Sequence, residues 1–356
     1  MEAMPLGKKQ IIQKVLVAQA NAPNRKQSMK RVNNLYDSIS SLDNLRLAYH
    51  KARQGKARTY GVRMFDKNTD RNLQQLNEEL TQGSYRTSEY SIFTIYEPKE
   101  RIIYRLPFRD RVVHHAIMNV LENIWVPIFI NNTYACIKER GIHGALKHIK
   151  RDLKDITGTK HCLKMDIRKF YPSIDHVILK SIIRKKIKDN RLLDLLDEII
   201  DSAPGIPIGN YLSQFFANLY LSYFDHWLKE TKHVRYYYRY ADDMVILHQD
   251  KRYLHNLLAE IDAYMATELN LQLKQNYQVF PVDSRGIDFV GYVFFHSHIL
   301  MRKSIKKRFC RRAAKINKLD ISPPEYKHRI APWIGWAKHC NSKNLINTIL
   351  DHEKIF

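Results

Sequence analysis

Tyr236-Tyr237-Tyr238-Arg239-Tyr240-Ala241-Asp242-Asp243-Met244-Val245-Ile246-Leu247 is the stretch on which the fold turns. Aromatic residues before Ala241 and an apolar, β-branched run after Asp243 read as the two strands of a hairpin. Two adjacent carboxylates then sit at its tip. Neighbouring carboxylates repel, and burying both as anions is costly without a cation. A divalent metal ion supplies the missing positive charge. An Asp-Asp pair is equally at home in an exposed turn, but the apolar run 244–247 places this one at the mouth of a core.

A second acid lies upstream. Cys162-Leu163-Lys164-Met165-Asp166-Ile167 reads as a buried strand that ends in a carboxylate. If this strand neighbours the hairpin, Asp166, Asp242 and Asp243 converge at one point. Carboxylate oxygens grouped in this way suit hard divalent ions such as Mg²⁺, which also take substrate phosphates as ligands. Two such ions about 4 Å apart can activate an attacking hydroxyl and stabilise a leaving pyrophosphate.

Composition points to a polyanionic partner. The 356 residues include 59 Lys plus Arg against 36 Asp plus Glu, a formal charge of +23. Such an excess favours nucleic acid. Hydrophobic residues make up 44% of the chain, enough for a substantial core in two or three subdomains. Cys136, Cys162, Cys310 and Cys340 are far apart and form no C-x-x-C pair, which fits a reduced, cytoplasmic protein better than a structural zinc site. The longest apolar neighbourhood, residues 112–130, contains His114, His115, Asn119 and Glu122. It reads as a core helix, so no membrane span is expected.

Residues 1–30 carry six Lys or Arg and read as a basic, partly helical arm. Helical spacing follows from Leu35 and again over residues 70–80. Residues 91–96 and 99–105 read as a β-hairpin around Pro98 that carries Lys99, Arg101 and Arg105. Helices are expected over 109–121, 141–154, 175–188 and 192–200. A glycine turn at Gly209 leads into a long helix through Gln214 and Tyr223. Beyond a helix over 253–269, Leu271, Leu273 and Lys274 read as a short strand. Phe289-Val290-Gly291-Tyr292-Val293-Phe294-Phe295 reads as a single hairpin strand, with Gly291 permitting close backbone approach. From about Leu300 the chain reads as helical and strongly basic, with no acid between Arg302 and Lys318. A charge run is usually a solvated face, but one of uniform sign suits contact with a phosphate backbone.

Tyr240-Ala241-Asp242-Asp243 resembles the catalytic box of reverse transcriptases, and the order of the other motifs agrees over residues 35–340. The resemblance implies an α+β, right-hand polymerase fold. Its palm would be an antiparallel sheet backed by helices. The implied division is a basic arm (1–34), fingers with the start of the palm (35–160), palm (161–299) and helical thumb (300–356). It implies catalysis by Asp166, Asp242 and Asp243 on two Mg²⁺ ions, or Mn²⁺, with the Ile167 carbonyl as a further metal ligand. Lys99 and Arg101 match residues that hold the triphosphate of the incoming dNTP. Tyr171, or Phe170 in a register shifted by one, matches the aromatic gate that rejects a ribose 2′-hydroxyl. Gln214 and Lys274 match residues near the nascent pair, and Phe289, Gly291 and Tyr292 the primer grip. Lys303, Lys307 and Arg311 would contact the template–primer duplex.

Within the class, Ile208-Gly209-Asn210-Tyr211-Leu212-Ser213-Gln214 is similar to the helix start in group II intron-like bacterial enzymes of diversity-generating retroelements. Tyr96-Glu97-Pro98-Lys99 and Trp333-Ile334-Gly335-Trp336-Ala337 also resemble that group. This implies an RNA template, a DNA primer or RNA–DNA duplex, a cognate structured RNA and a small accessory protein, and errors opposite adenine. Antiphage defence reverse transcriptases using a dedicated non-coding RNA share much of the layout. A catalytically silent RNA-binding subunit is the alternative outside the enzymes.

Overall fold

The structure is a computed structural model that describes residues 31–96 and 100–351. The first 30 residues of the expected basic arm, and Lys99, lie outside the described residues. The chain divides into two compact units. One comprises Met1–Lys138, Ile167–Val234 and Ala259–Lys274, and the other Glu139–Asp166, Arg235–Leu258 and Gln275–Phe356. Among the described residues no helix is long and apolar enough to cross a membrane.

The first unit is mostly helical. Ser41 caps the helix Leu42–Arg53 by accepting from the Asn44 amide, and Leu45, Ala48, Tyr49 and Ala52 form its buried stripe. That helix packs along Phe108–Trp125, and Asn44 Nδ2 donates to the Ala116 carbonyl at 3.0 Å. His114 and His115 are buried on the second of these helices, His115 stacked on the Tyr211 ring at 4.2 Å, and burial lowers both to about 4. They are neutral, structural histidines. The expected hairpin is present as β1 (Ser91–Ile95) and β2 (Arg101–Arg105), antiparallel with Ser91 opposite Arg105.

The helix expected after Gly209 is shorter than its apolar pattern implied. It runs Tyr211–Tyr220, restarts as Ser222–His226 and ends in a π-helical turn, Trp227–Thr231. The break has identifiable causes. The Ser222 hydroxyl donates back to the Leu219 carbonyl at 2.6 Å, a bond that bends helices. His226 Nε2 meanwhile lies 2.8 Å from the Ile128 carbonyl oxygen.

The second unit is built on a four-stranded antiparallel sheet in the order β4-β5-β3-β6. These strands are β3 (His161–Asp166), β4 (Tyr236–Tyr240), β5 (Asp243–His248) and β6 (Gln278–Pro281). Met244, Val245, Ile246 and Leu247 are all buried. The helix Gly141–Asp152 packs on β4, where the Tyr238 hydroxyl donates to the Asp152 carboxylate at 2.6 Å.

Three local expectations are corrected. Leu271, Leu273 and Lys274 do not form a strand. Asn270 takes a left-handed conformation (φ 49°), Leu273 makes one isolated bridge to Ile167, and the regular strand falls later at β6. Residues 289–295 are not one strand either. They contribute to β7 (Ile287–Phe289) and β8 (Tyr292–Phe294), joined by a turn at Val290 and Gly291 with φ of 44° and 91°. A Cβ on Gly291 would lie 2.5 Å from the Trp336 ring, so close approach does require glycine there. Finally, the chain is not yet helical at Leu300, because β9 (Ile299–Met301) adds a third strand beside β8. The helices Lys303–Asn317, Pro323–Ala337 and Lys343–Ile349 follow. They share a core that includes Phe309, Ile316, Tyr326 and Ile330, with the Phe309 and Trp333 rings stacked at 5.7 Å.

Candidate active site

β3 and β5 are hydrogen-bonded neighbours, and their register sets Asp166 directly opposite Asp243. Asp243 in turn pairs with Tyr240 across the β4–β5 hairpin, which leaves Ala241 and Asp242 as its two-residue turn. Such turns require a positive φ at the first central residue. Ala241 supplies it at 55°, a conformation that costs energy without a glycine. The strain therefore sits at the residue joining Tyr240 to the paired carboxylates.

Arg239 supports that turn. It is completely buried, and its Nη1 donates to the Ala241 carbonyl at 3.1 Å. Sequence reasoning passed over it, although a guanidinium in a strand of four tyrosines was a visible signal.

Asp243 carries the clearest electrostatic signature. Burial is the main cause pushing its carboxyl up to about 6; Lys164 opposes the shift and the Asp166 charge adds to it. The Asp243 Oδ1 atom is inaccessible to solvent and accepts no hydrogen bond among the described residues. Its nearest cation is Lys164, with Nζ at 3.7 Å. A cavity of about 430 Å³ opens beside Asp166, bordered by Lys164, Gln278, Arg285 and Asp288.

Asp166 and Asp243 are the carboxylates set opposite one another, with Asp242 next along on the turn. Among the described residues, no group of three or more His, Cys, Asp and Glu side chains is gathered to hold a metal ion.

Other expected site residues fall in both units. Phe289 and Tyr292 are fully buried and close the β7–β8 turn around Gly291. The Tyr292 hydroxyl donates to the Trp336 carbonyl at 3.0 Å, tying that turn to the C-terminal helices. Lys303, Lys307 and Arg311 recur every four residues on one helix and are exposed, while Phe309, Ala313 and Ile316 face its core. With Lys306 and Cys310 they line a groove of about 460 Å³.

The nucleotide-handling candidates belong to the first unit. Ile167 is buried and bridges to Leu273. Phe170 is 2% exposed, whereas Tyr171 is half-buried and opens a short 3₁₀ turn, Tyr171–Ser173. One loop connects several of them. The Ile206 amide donates to the Tyr171 carbonyl at 2.9 Å, and the Tyr104 amide of β2 donates to the Ile208 carbonyl at 3.0 Å. Gly209 then passes so close to β2 that a Cβ there would lie 2.9 Å from the Tyr104 oxygen. The loop thus ties the turn bearing Tyr171 and the ribbon bearing Arg101 to the helix bearing Gln214. Arg101 and Gln214 are exposed, and Lys274 is half-buried.

Comparison with known proteins places this geometry. Residues 97–294 match the model of the reverse transcriptase (RNA-dependent DNA polymerase) family, a span that includes β3, β4 and β5. Protein YkfC of Escherichia coli (strain K12) is 25% identical over 280 residues, covering 65% of this chain and 71% of that protein. The group II intron-encoded protein LtrA of Lactococcus lactis subsp. cremoris is 30% identical over 136 residues, covering 35% of this chain and 22% of its own length. Apo telomerase from Candida tropicalis aligns with a TM-score of 0.45 at 12% identity, over 59% of this chain and 48% of that one. The family match covers more than half of the sequence and contains every strand that carries a candidate catalytic acid. The chain belongs to the reverse transcriptase family, the RNA-directed DNA polymerases.

Proposed function

We propose that this polymerase copies an RNA template into cDNA by metal-assisted phosphoryl transfer at Asp166, Asp242 and Asp243. The observation that carries the reading is the register of β3 on β5, which sets Asp166 opposite Asp243 and Asp242 on the adjoining turn. The donor chemistry fits hard divalent cations, two Mg²⁺ or Mn²⁺, because Asp166 and Asp288 bring carboxylates to the cavity and Asp243 Oδ1 is buried without a hydrogen-bond donor. When bound, the ions supply charge stabilisation for the attacking and leaving oxygens.

The remaining roles fall to the chain's own residues. Tyr171, the more accessible ring of its pair, excludes a 2′-hydroxyl from the incoming dNTP. Arg101 and Lys99 hold the triphosphate, and Gln214 and Lys274 sit beside the nascent pair. The turn of Phe289, Gly291 and Tyr292 positions the primer end. Lys303, Lys307 and Arg311 track the backbone of the template–primer duplex, as exposed cations of one sign would. In this reading residues 35–160 act as fingers, 161–299 as palm and 300–356 as thumb.

We further infer the diversity-generating subgroup, from the sequence 208–214 at the start of the Gln214 helix and from the similarity to group II intron-encoded proteins. A cognate structured RNA and a small accessory protein are the partners this reading brings. Sequencing cDNA made on an RNA template that contains all four bases tests it. Misincorporation concentrated opposite adenine is expected. Errors spread evenly over the four bases would sink the subgroup, favour the defence reading and leave the polymerase assignment standing. No cDNA at all from an intact RNA-binding protein would make the chain a silent RNA-binding subunit.

A further inference from the structure

Lys164 lies two residues before Asp166, on the same face of β3. β3 lies in an antiparallel sheet, and Lys164 and Asp166 are both half-buried on that face. Its side chain is 24% exposed and makes two contacts. Nζ approaches Asp243 Oδ1 at 3.7 Å, and it also donates to the backbone carbonyl of Asp288 on β7. The Asp288 carboxylate accepts from Arg302 Nε at 2.6 Å, and the Arg302 amide donates to the Gly291 carbonyl at 3.0 Å. Contacts thus run from Asp243 through Lys164 and the Asp288 backbone, then from the Asp288 carboxylate to Arg302. The series starts at a candidate catalytic acid and ends at the residue preceding the basic helix Lys303–Asn317. β3 and β7 belong to different sheets, so this polar link does what no strand pairing does there.

We propose that Lys164 is a positioning residue for polymerisation: it fixes the Asp243 carboxylate and clamps the β7–β8 turn to the catalytic strand. The proposal rests on the reading of Asp243 as catalytic and of that turn as the primer grip. An ion pair serving stability alone would leave the chemical step untouched. A clamp would not. Removing a positive charge 3.7 Å from Asp243 also makes the site more negative, so a divalent cation should bind it more tightly.

Lys164→Met removes both contacts, Lys164→Gln keeps a donor for the Asp288 carbonyl without the charge, and Lys164→Arg keeps both. Each full-length variant is assayed for thermal stability, template–primer affinity, primer-extension kcat, and Mn²⁺ binding by electron paramagnetic resonance without substrate. For Lys164→Met we expect kcat to fall by about tenfold or more with duplex affinity within about twofold of wild type. Mn²⁺ affinity should rise by roughly threefold or more in both Lys164→Met and Lys164→Gln. Lys164→Arg should recover most of the rate. If Lys164→Met fails to fold, Lys164→Gln carries the same Mn²⁺ test. Wild-type kcat in the uncharged variants overturns the role of Lys164 alone, and unchanged Mn²⁺ affinity overturns its placement beside the metal-binding acids. A wild-type protein that neither extends a primer nor binds Mn²⁺ at Asp243 overturns the catalytic reading with it.

Discussion

Asp243→Asn should make the metal-free protein more stable while disabling it as an enzyme. In the native chain this carboxyl is pushed up to about 6 from an ordinary value of 3.8, chiefly by burial. The folded state therefore holds its proton to higher pH than the unfolded state does. Below pH 3.8 neither state is ionised and the group costs nothing; as pH rises through 6 the penalty grows to its full size. At about 1.4 kcal/mol per pH unit the difference corresponds to about 3 kcal/mol. The side chain is 29% exposed, and solvent screening there trims the penalty to about 2 kcal/mol. Asparagine has the same shape and no charge, so it relieves that cost above pH 6. Thermal unfolding with a chelator present should show the variant several degrees more stable than wild type at pH 8 and indistinguishable near pH 4. Mg²⁺ should narrow the gap at pH 8, because it stabilises only the charged wild-type site. A variant no more stable at pH 8, or a gap that ignores pH, would falsify the idea that burial of the Asp243 charge costs more than Lys164 returns.

Two further outcomes follow from the site. Tyr171→Ala should admit ribonucleotides into the product, scored by alkaline cleavage of the cDNA; unchanged selectivity would move the gate to Phe170 or elsewhere. Charge reversal at Lys303, Lys307 and Arg311 should weaken duplex binding across sequences. It should also flatten the dependence of log affinity on log salt by up to about 0.9 per lost phosphate contact, read by fluorescence anisotropy. An unaltered slope would mark the helix as a solvated face.

The catalytic hairpin was legible because its signals are local. Four tyrosines, an acidic pair and an apolar run force two strands with a tip, and Asp166 at the end of a second apolar run invites the pairing that the structure shows. The misread segments depended on single backbone conformations that composition does not announce. Val290 takes a positive φ despite its branched side chain, which splits the expected strand into two. At Asn270 the same region is entered just where a new strand was expected to begin. The helix after Gly209 kept its apolar period through Tyr223, but a serine back-bond interrupted it. Arg239 and Lys164 were overlooked for a different reason. Both are charged residues inside buried strands, and their roles appear only once the partners, the Ala241 and Asp288 carbonyls, are brought beside them by the fold.

The most direct test of the whole account is primer extension by the Asp242→Asn variant, measured beside its binding to the same RNA template and DNA primer. Asp242 sits half-buried on the turn and asparagine keeps its shape, so the substitution should leave the fold intact. The account predicts that extension falls by about 10³-fold or more while duplex affinity stays within about twofold of wild type. Extension at the wild-type rate would contradict it, because polymerisation would then be proceeding without the acid on which the catalytic box depends.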